Sequence, residues 1–317
     1  MEFSFEKWSD QVFTFNTVED INFKETPLKG SFIIEIRNKG TPLHILFGGF
    51  DINKDFIVGF SGALSKRTES MNPPFFSFLN IAKEINAPYM LVADPTLYLS
   101  KDLKLAWYAG NEKYIKLQKD IALIVNKAAN YFESSPVLTG GSGGGFASLA
   151  ISSYLNVEHN IFIWNPQTSI SKYYKRFVDE YTNVAFPEYK SLSMNKVFSL
   201  IKSKGISTEV ITKPLNVKTK LLYIQNYSDG HRATHAEPFL KGQKFCDGIA
   251  NKRSVNYKIN DEKLVVLANW GEGHVEPPRI IIYYVLNELI KGNSIVNITD
   301  NIFKVFDKEF KDVHNKL

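Results

Sequence analysis

The chain has 317 residues, 44% hydrophobic and 22% charged, with a formal net charge of +5. Those are ordinary globular values, and lysines scattered rather than blocked exclude nucleic acid as an expected partner. A single cysteine, Cys246, excludes internal disulfides and a cysteine-based zinc site; in QKFCDGIA it reads as a buried, inert thiol on a helix. The first residues lack the basic and apolar regions of a leader, and no apolar run approaches the roughly 18 residues of a membrane span, so a cytoplasmic protein without a span is expected.

Residues 1–30 read as an irregular lead-in. SFIIEIRNKG and TPLHILFGGF are β-rich runs separated by a hairpin signal, Arg37-Asn38-Lys39-Gly40. A third run, Asp55 to Leu64, ends in Ser61-Gly62-Ala63. FFSFLNIAKEI is predicted as a helix and PYMLVADP as a strand broken by Pro95. Beyond LKLAWYAG, the segment YIKLQKDIALIVNKAANYF has apolar residues at Ile115, Leu117, Ile121, Leu123, Ile124 and Ala128, the period of a long amphipathic helix. Pro136 to Thr139 is a short strand, followed by the turn Gly140-Gly141-Ser142-Gly143-Gly144 and an apolar helix from Phe146. HNIFIWNPQTS is a buried strand stopping at Asn165-Pro166. Residues 166–206 form a Tyr- and Lys-rich helical insertion, read either as a lid or as helices with a solvated lysine face. TKLLYIQN is a strand, YSDGHRATHAEPFLKGQKFCDGIA a loop running into a helix, and KLVVLANW the last strand. PPRIIIYYVLNELI is a helix, and residues 296–317 form a C-terminal helix packed on the rest. Strands alternating with helices predict a mostly parallel sheet covered on both faces, one α/β domain over 31–295.

The chemistry concentrates on the glycine-rich turn. It satisfies G-x-S-x-G between a strand and a helix, where the serine is forced into strained φ/ψ space and its hydroxyl is lifted towards a helix N-terminus. A linker would not sit between a strand and an apolar helix. A phosphate loop needs Lys then Ser or Thr where Phe146-Ala147 stand, and a structural turn or anion cradle is the surviving alternative. A serine hydroxyl needs a base, and the base an orienting acid. His274 follows the last strand on a glycine-flanked loop; His44, His159 and His314 lie in or beside early strands or in the tail. Asp229 follows TKLLYIQN and serves as the acid, although Ser228-Asp229-Gly230 is also a helix N-cap signature, with Glu272 and Glu237 as fallbacks. Gly143 and either Gly62 or Ala63 are placed to donate N–H groups to an oxyanion; a plain tight turn is the other reading of Ser61-Gly62-Ala63. HRATH lacks the glutamate of HExxH, so no metal is expected, and His231 is assigned to the pocket lining or the acid loop, a plain surface pair with His235 being the other reading.

TGGSGGGFASL, WNPQTSISKYY, YIQNYSDGHRATHAEPF and GEGHVEPP together resemble α/β-hydrolase-fold proteins of bacterial surface-polysaccharide biosynthesis, among them capsule O-acetyltransferases and the O-acetyltransferase of the accessory secretion system. The likeness covers roughly residues 45–290. It implies an α/β-hydrolase-like fold, Ser142 as nucleophile, His274 as base, Asp229 as acid, and Asn165 and Gln167 of the NPQ segment beside the substrate. It also implies a carbohydrate acceptor; the expected cytoplasmic location and mild positive charge suit acetyl-CoA as a possible acyl donor, with no cofactor permanently bound. A carbohydrate esterase with the same triad, or a non-catalytic scaffold of a polysaccharide-assembly complex, are the rival readings.

Overall fold

The computed structural model describes residues 2–26, 29–37, 40–52, 54–68, 70–250 and 253–314, of which 306 and 308–314 by backbone alone. Its strands are β1 (Val12–Phe15), β2 (Ser31–Ile36), β3 (Leu43–Gly48), β4 (Phe56–Phe60), β5 (Tyr89–Val92), β6 (Pro136–Gly141), β7 (His159–Trp164), β8 (Thr219–Asn226), β9 (Ile249–Ala250), β10 (Ser254–Asn260) and β11 (Lys263–Ala268). Among the described residues they form one sheet in the order β1-β2-β3-β5-β4-β6-β7-β8-β11-β10-β9. The six neighbours from β5 to β11 are mutually parallel; β3 runs against them, and β10 and β9 close the far edge as antiparallel strands.

Parallel strands need crossovers, and the helices supply them. They are α1 (Leu79–Glu84), α2 (Leu117–Phe132), α3 (Gly143–Ser152), α4 (Lys175–Ala185), α5 (Met194–Ser203), α6 (Glu237–Gly242), α7 (Arg279–Ile290) and α8 (Ile295–His314). α3 packs on β4, β6 and β7 and on α2, while α7 packs on the same three strands and on α8. Covered by helices, β4 is buried along its whole length and reads as a continuous apolar run rather than an alternating one; β3 and β5 are buried throughout as well. No helix among the described residues is long and apolar enough to cross a membrane.

Several expectations are corrected. The lead-in is part of the sheet: β1 pairs parallel with β2, and Phe3, Phe5 and Trp8 pack against the core. The first helix begins only at Leu79, because Phe78 takes a left-handed φ of 73° that ends helical geometry on its N-terminal side. Cys246 is exposed and lies beyond the end of α6, after the left-handed Lys244. β10 is an additional strand that its polar residues Asn256, Lys258 and Asn260 obscure. β2 and β3 pair as the expected hairpin; its turn residues Asn38 and Lys39, and residues 315–317 of the tail helix, lie outside the described residues. The insertion is helical as anticipated, with α4 and α5 and two short 3-10 turns.

Candidate active site

Because β4, β6, β7, β8 and β11 run parallel, their C-terminal ends share one edge, and the residues just past those ends meet there. Gly62 and Ala63 follow β4, Ser142 follows β6, Asn165 follows β7, Asp229 follows β8 and His274 follows β11.

Ser142 joins β6 to α3 with φ 55° and ψ −117°, a conformation that strains any residue with a Cβ. The turn is held by Ser142 N–H donating to the Trp164 carbonyl (3.0 Å) and Phe146 N–H donating to the Ser142 carbonyl (3.2 Å). It is tight enough to require its glycines. A Cβ on Gly140 would lie 2.6 Å from the Gly144 carbonyl carbon and 2.7 Å from the Phe60 carbonyl oxygen, so strand and helix approach only where side chains are absent. A Cβ on Gly62 would stand 3.7 Å from the Ser142 Cβ, placing the loop after β4 directly beside the serine. That loop is anchored by Tyr108, whose hydroxyl accepts from Ser61 N–H at 2.8 Å and donates to the Val92 carbonyl at 2.9 Å. The N–H groups of Gly62, Ala63 and Gly143 donate no hydrogen bond among the described residues.

Asp229 and His274 are brought together: Asp229 Oδ2 and His274 Nδ1 are 2.7 Å apart. The other carboxylate oxygen accepts from His231 N–H at 2.9 Å, and Gln225 Nε2 donates to Oδ2 at 3.2 Å. Burial pushes the Asp229 carboxyl up, but the His274 and His231 hydrogen bonds outweigh it and hold the group below its ordinary value. A carboxylate on Nδ1 fixes the proton there and leaves Nε2 as the free base. The loop carrying His274 is pinned by two buried asparagines. Asn226 Nδ2 donates to the carbonyls of Gly271 (2.9 Å) and Gly273 (2.7 Å), and Asn165 Nδ2 donates to that of Val275 (2.7 Å). Asn165 Oδ1 in turn accepts from Asn226 N–H at 2.7 Å. Asn165 thus borders the cavity with its amide already engaged.

Ser142 and His274 line one cavity of about 940 Å³, together with Gly62, Ala63, Asn165 and Tyr173. No hydrogen bond joins the serine to the imidazole among the described residues. Instead Ser142 Oγ accepts from Gln167 Nε2 at 2.5 Å. The Gln167 amide orientation is dictated by Trp107, a donor only, whose Nε1–H meets Gln167 Oε1 at 2.9 Å. Gln167 is therefore a buried brace on the serine. His231 is buried too: its ring stands 5.2 Å edge-on from His274 and 5.1 Å stacked on Tyr173. Its Nε2 is buried with no hydrogen-bond partner among the described residues, and burial lowers its pKa. His235 packs behind it, pushed down to about 4 by burial. Asp229, His231 and His274 offer ligand atoms within 4.8 Å of one another. A cation there would occupy the carboxylate and imidazole that a serine nucleophile needs free, so the two uses exclude one another. Trp107 and Tyr108 are site residues that the motifs do not reveal; Tyr173 and Asn226 lie within the WNPQTSISKYY and YIQNYSDG stretches, and the strand-end position of Asn226, shared with Asn165, is a further signal.

Strand order, elbow and loop positions together define the α/β-hydrolase fold. No family model matches the sequence, and no curated protein matches it. Among solved structures the chain is similar to the capsule O-acetyltransferase of Neisseria meningitidis serogroup A, at 15% identity and a TM-score of 0.53, covering 81% of this chain and 94% of that one. It is also similar to the Glycosylation Associate Protein (Gap123) complex from Streptococcus agalactiae, at 16% identity and TM-score 0.52 over 78% of this chain; the match spans only 43% of that longer chain. A puromycin hydrolase superposes with TM-score 0.51 at 13% identity, over 84% of this chain and 40% of that one. A capsule O-acetyltransferase, one of the proteins the motifs resemble, is thus among the solved structures that share this fold.

Proposed function

We propose that this protein is a serine-dependent acyltransferase that places an acetyl group on a carbohydrate hydroxyl through an acyl-Ser142 intermediate. The observation that carries the reading is the Asp229–His274 pair, 2.7 Å apart, facing the same cavity as a serine on a strained elbow. In the first half-reaction Ser142 Oγ bonds to the acyl carbon of a thioester such as acetyl-CoA, His274 Nε2 takes the hydroxyl proton, and the C–S bond breaks as that proton passes to the leaving thiolate. The N–H of Gly143 with that of Gly62 or Ala63 stabilises the oxyanion, a contribution worth about 10²–10³ in turnover per donor. In the second half-reaction a sugar hydroxyl attacks the acyl-enzyme, giving its proton to His274, and Ser142 is released with its hydroxyl restored. The serine–imidazole contact closes on substrate, since catalytic hydrogen bonds commonly tighten only in the complex. The activity for which the Neisseria neighbour is named, capsule O-acetylation, supports acetyl and glycan as the two substrates.

A fluorophosphonate probe tests the core of the reading. It should modify wild-type protein at Ser142 and leave Ser142→Ala untouched; an unmodified wild type overturns the catalytic account in favour of a scaffold. Supplying a glycan with an acetyl ester then separates transferase from esterase by whether acetylated glycan or free acetate accumulates.

A further inference from the structure

The N-terminal segment reaches the catalytic cavity although no step of acyl transfer needs it. Trp8 is part of the cavity wall that also holds Ser142 and His274. It is fixed there: its Nε1–H donates to the Pro74 carbonyl at 3.2 Å, and its ring meets Phe76 edge-on at 5.2 Å. The segment around it is tied down on both sides. Ser4 N–H donates to the Pro73 carbonyl at 2.8 Å, and Ser9 Oγ donates to the Ser31 carbonyl at 2.6 Å. An indole held in place and half-buried at a cavity is a pre-ordered contact surface, because little side-chain freedom remains to be lost when a ligand arrives.

The wall around Trp8 mixes two kinds of group. Phe76 and Phe78 continue the aromatic surface, while Asn80, Glu276 and Arg279 bring hydrogen-bonding and charged groups to the same cavity. An acyl chain would use only the first kind, and a small polar leaving group only the second. A pyranose ring uses both, through the C–H face of the ring and the hydroxyls at its rim. The cavity, at about 940 Å³, is near the upper end of the roughly 300–1,000 Å³ that single ligands fill, which leaves space for a sugar beside an acylated serine.

We infer that the N-terminal segment builds the acceptor subsite of this enzyme, with Trp8 as the platform on which the acceptor's sugar ring stacks. The inference rests on the carbohydrate-acyltransferase reading above and adds to it the place and the residue. Trp8 acts on recognition of the acceptor, not on formation of the acyl-enzyme.

Saturation-transfer NMR tests it, with methyl glycosides of the common hexoses and N-acetylhexosamines as probes, on wild type, Trp8→Phe and Trp8→Leu. Trp8→Phe keeps a ring and Trp8→Leu keeps apolar bulk without one; thermal melts within a few degrees of wild type show that both fold. At least one glycoside should bind wild type, bind Trp8→Phe comparably, and bind Trp8→Leu roughly tenfold more weakly. Equal binding by Trp8→Leu, or binding of no glycoside by wild type, overturns the assignment, as does a Trp8→Phe protein that folds but loses the sugar. Fluorophosphonate labelling of the wild type is read separately. Its failure would remove the catalytic reading, whereas a labelled Ser142 with Trp8-independent sugar binding would remove only the subsite.

Discussion

Replacing Gln167 with methionine probes a group that holds the Ser142 hydroxyl. The Gln167 side chain links Trp107 Nε1 (2.9 Å) to Ser142 Oγ (2.5 Å), and its backbone N–H donates to the Ser142 carbonyl at 3.1 Å. Trp107 and Gln167 are 0% and 1% exposed, so water does not substitute for a lost partner. Methionine preserves length and bulk but strands the indole N–H, a loss of about 1–3 kcal/mol. At roughly 2–4 °C per kcal/mol for a chain of this class, the melting temperature should fall by several degrees. Trp107→Phe strands Gln167 Oε1 instead and should fall comparably. The double variant loses both ends of the same bond, so its destabilisation should be smaller than the sum by about 1 kcal/mol or more. Freed of its brace, Ser142 should react with a fluorophosphonate roughly 10–100-fold more slowly in Gln167→Met, since misplacement of a reacting group by about 1 Å carries such a penalty. Additive melting shifts, or a wild-type labelling rate in Gln167→Met, would refute the idea that this bond positions the serine.

Asp229→Asn should keep the fold but present an amide N–H to His274 Nδ1, reversing the tautomer and lowering turnover by roughly 10⁴; turnover within tenfold of wild type would exclude Asp229 as the acid. Gly140→Ala should destabilise by about 3 kcal/mol, because its new methyl has no space against Phe60 and Gly144. Gly230→Ala, which meets nothing within 4 Å, should stay within about 0.5 kcal/mol of wild type, and equal urea midpoints for the two variants would contradict the packing argument. Stability should fall between pH 6.5 and 4. His44 and His235, both held down to about 4 by burial, take up their protons in the unfolded chain first, withdrawing about 3 kcal/mol each. Asp94, pushed up to about 6 by burial, binds its proton first in the folded chain and offsets about 3 kcal/mol of this. Urea titrations at pH 7.5, 6, 5 and 4 check the sign, and a flat or rising profile towards acid rejects it.

The elbow is legible in the sequence because its constraint is local: only glycines fit where strand and helix backbones touch, so the pattern around Ser142 records the geometry directly. Parallel order makes the strand ends legible as well, since a strand followed by Asp229 or His274 must deliver that residue to the same edge. The braces are not legible, because they depend on contacts made across long separations. Trp107 and Tyr108 both hold left-handed φ angles, 55° and 54°, which neither residue type favours and no local pattern announces. Tertiary packing imposes that geometry, and with it the indole reaches Gln167 sixty residues away. The same holds for Asn165, at φ 41°, whose NPQ context marks a site without revealing that its amide ties two loops together. Residues 1–30 read as irregular for a related reason. Phe3 and Phe5 sit at strand spacing and Phe5 and Trp8 at helical spacing, so no single period is sustained, and what packs them is the core surface they cover.

These braces hold the site through two sets of side chains that meet on the Asn165-Pro166-Gln167 segment. Ser142 is fixed through Gln167 to Trp107, which belongs to the stretch after β5 and faces Tyr181 of α4 at 5.6 Å. His274, on the loop after β11, is held by Asp229 directly and through that loop's backbone by Asn226 and Asn165, which lie at or just past the ends of β8 and β7. Among the described residues no hydrogen bond crosses between the two sets at the reacting atoms, whereas Tyr173 and His231 stack between them at 5.1 Å. In the proposed reaction an acyl donor would meet a serine and an imidazole not yet hydrogen-bonded to each other, with the Tyr173–His231 contact beside them. Shortening that contact's aromatic partner, as in Tyr173→Ala, should loosen the relation of serine and imidazole. Its signature would be a lower rate of Ser142 acylation at saturating probe with little change in melting temperature. Unchanged acylation in a folded Tyr173→Ala protein would mean that the two are registered without that contact.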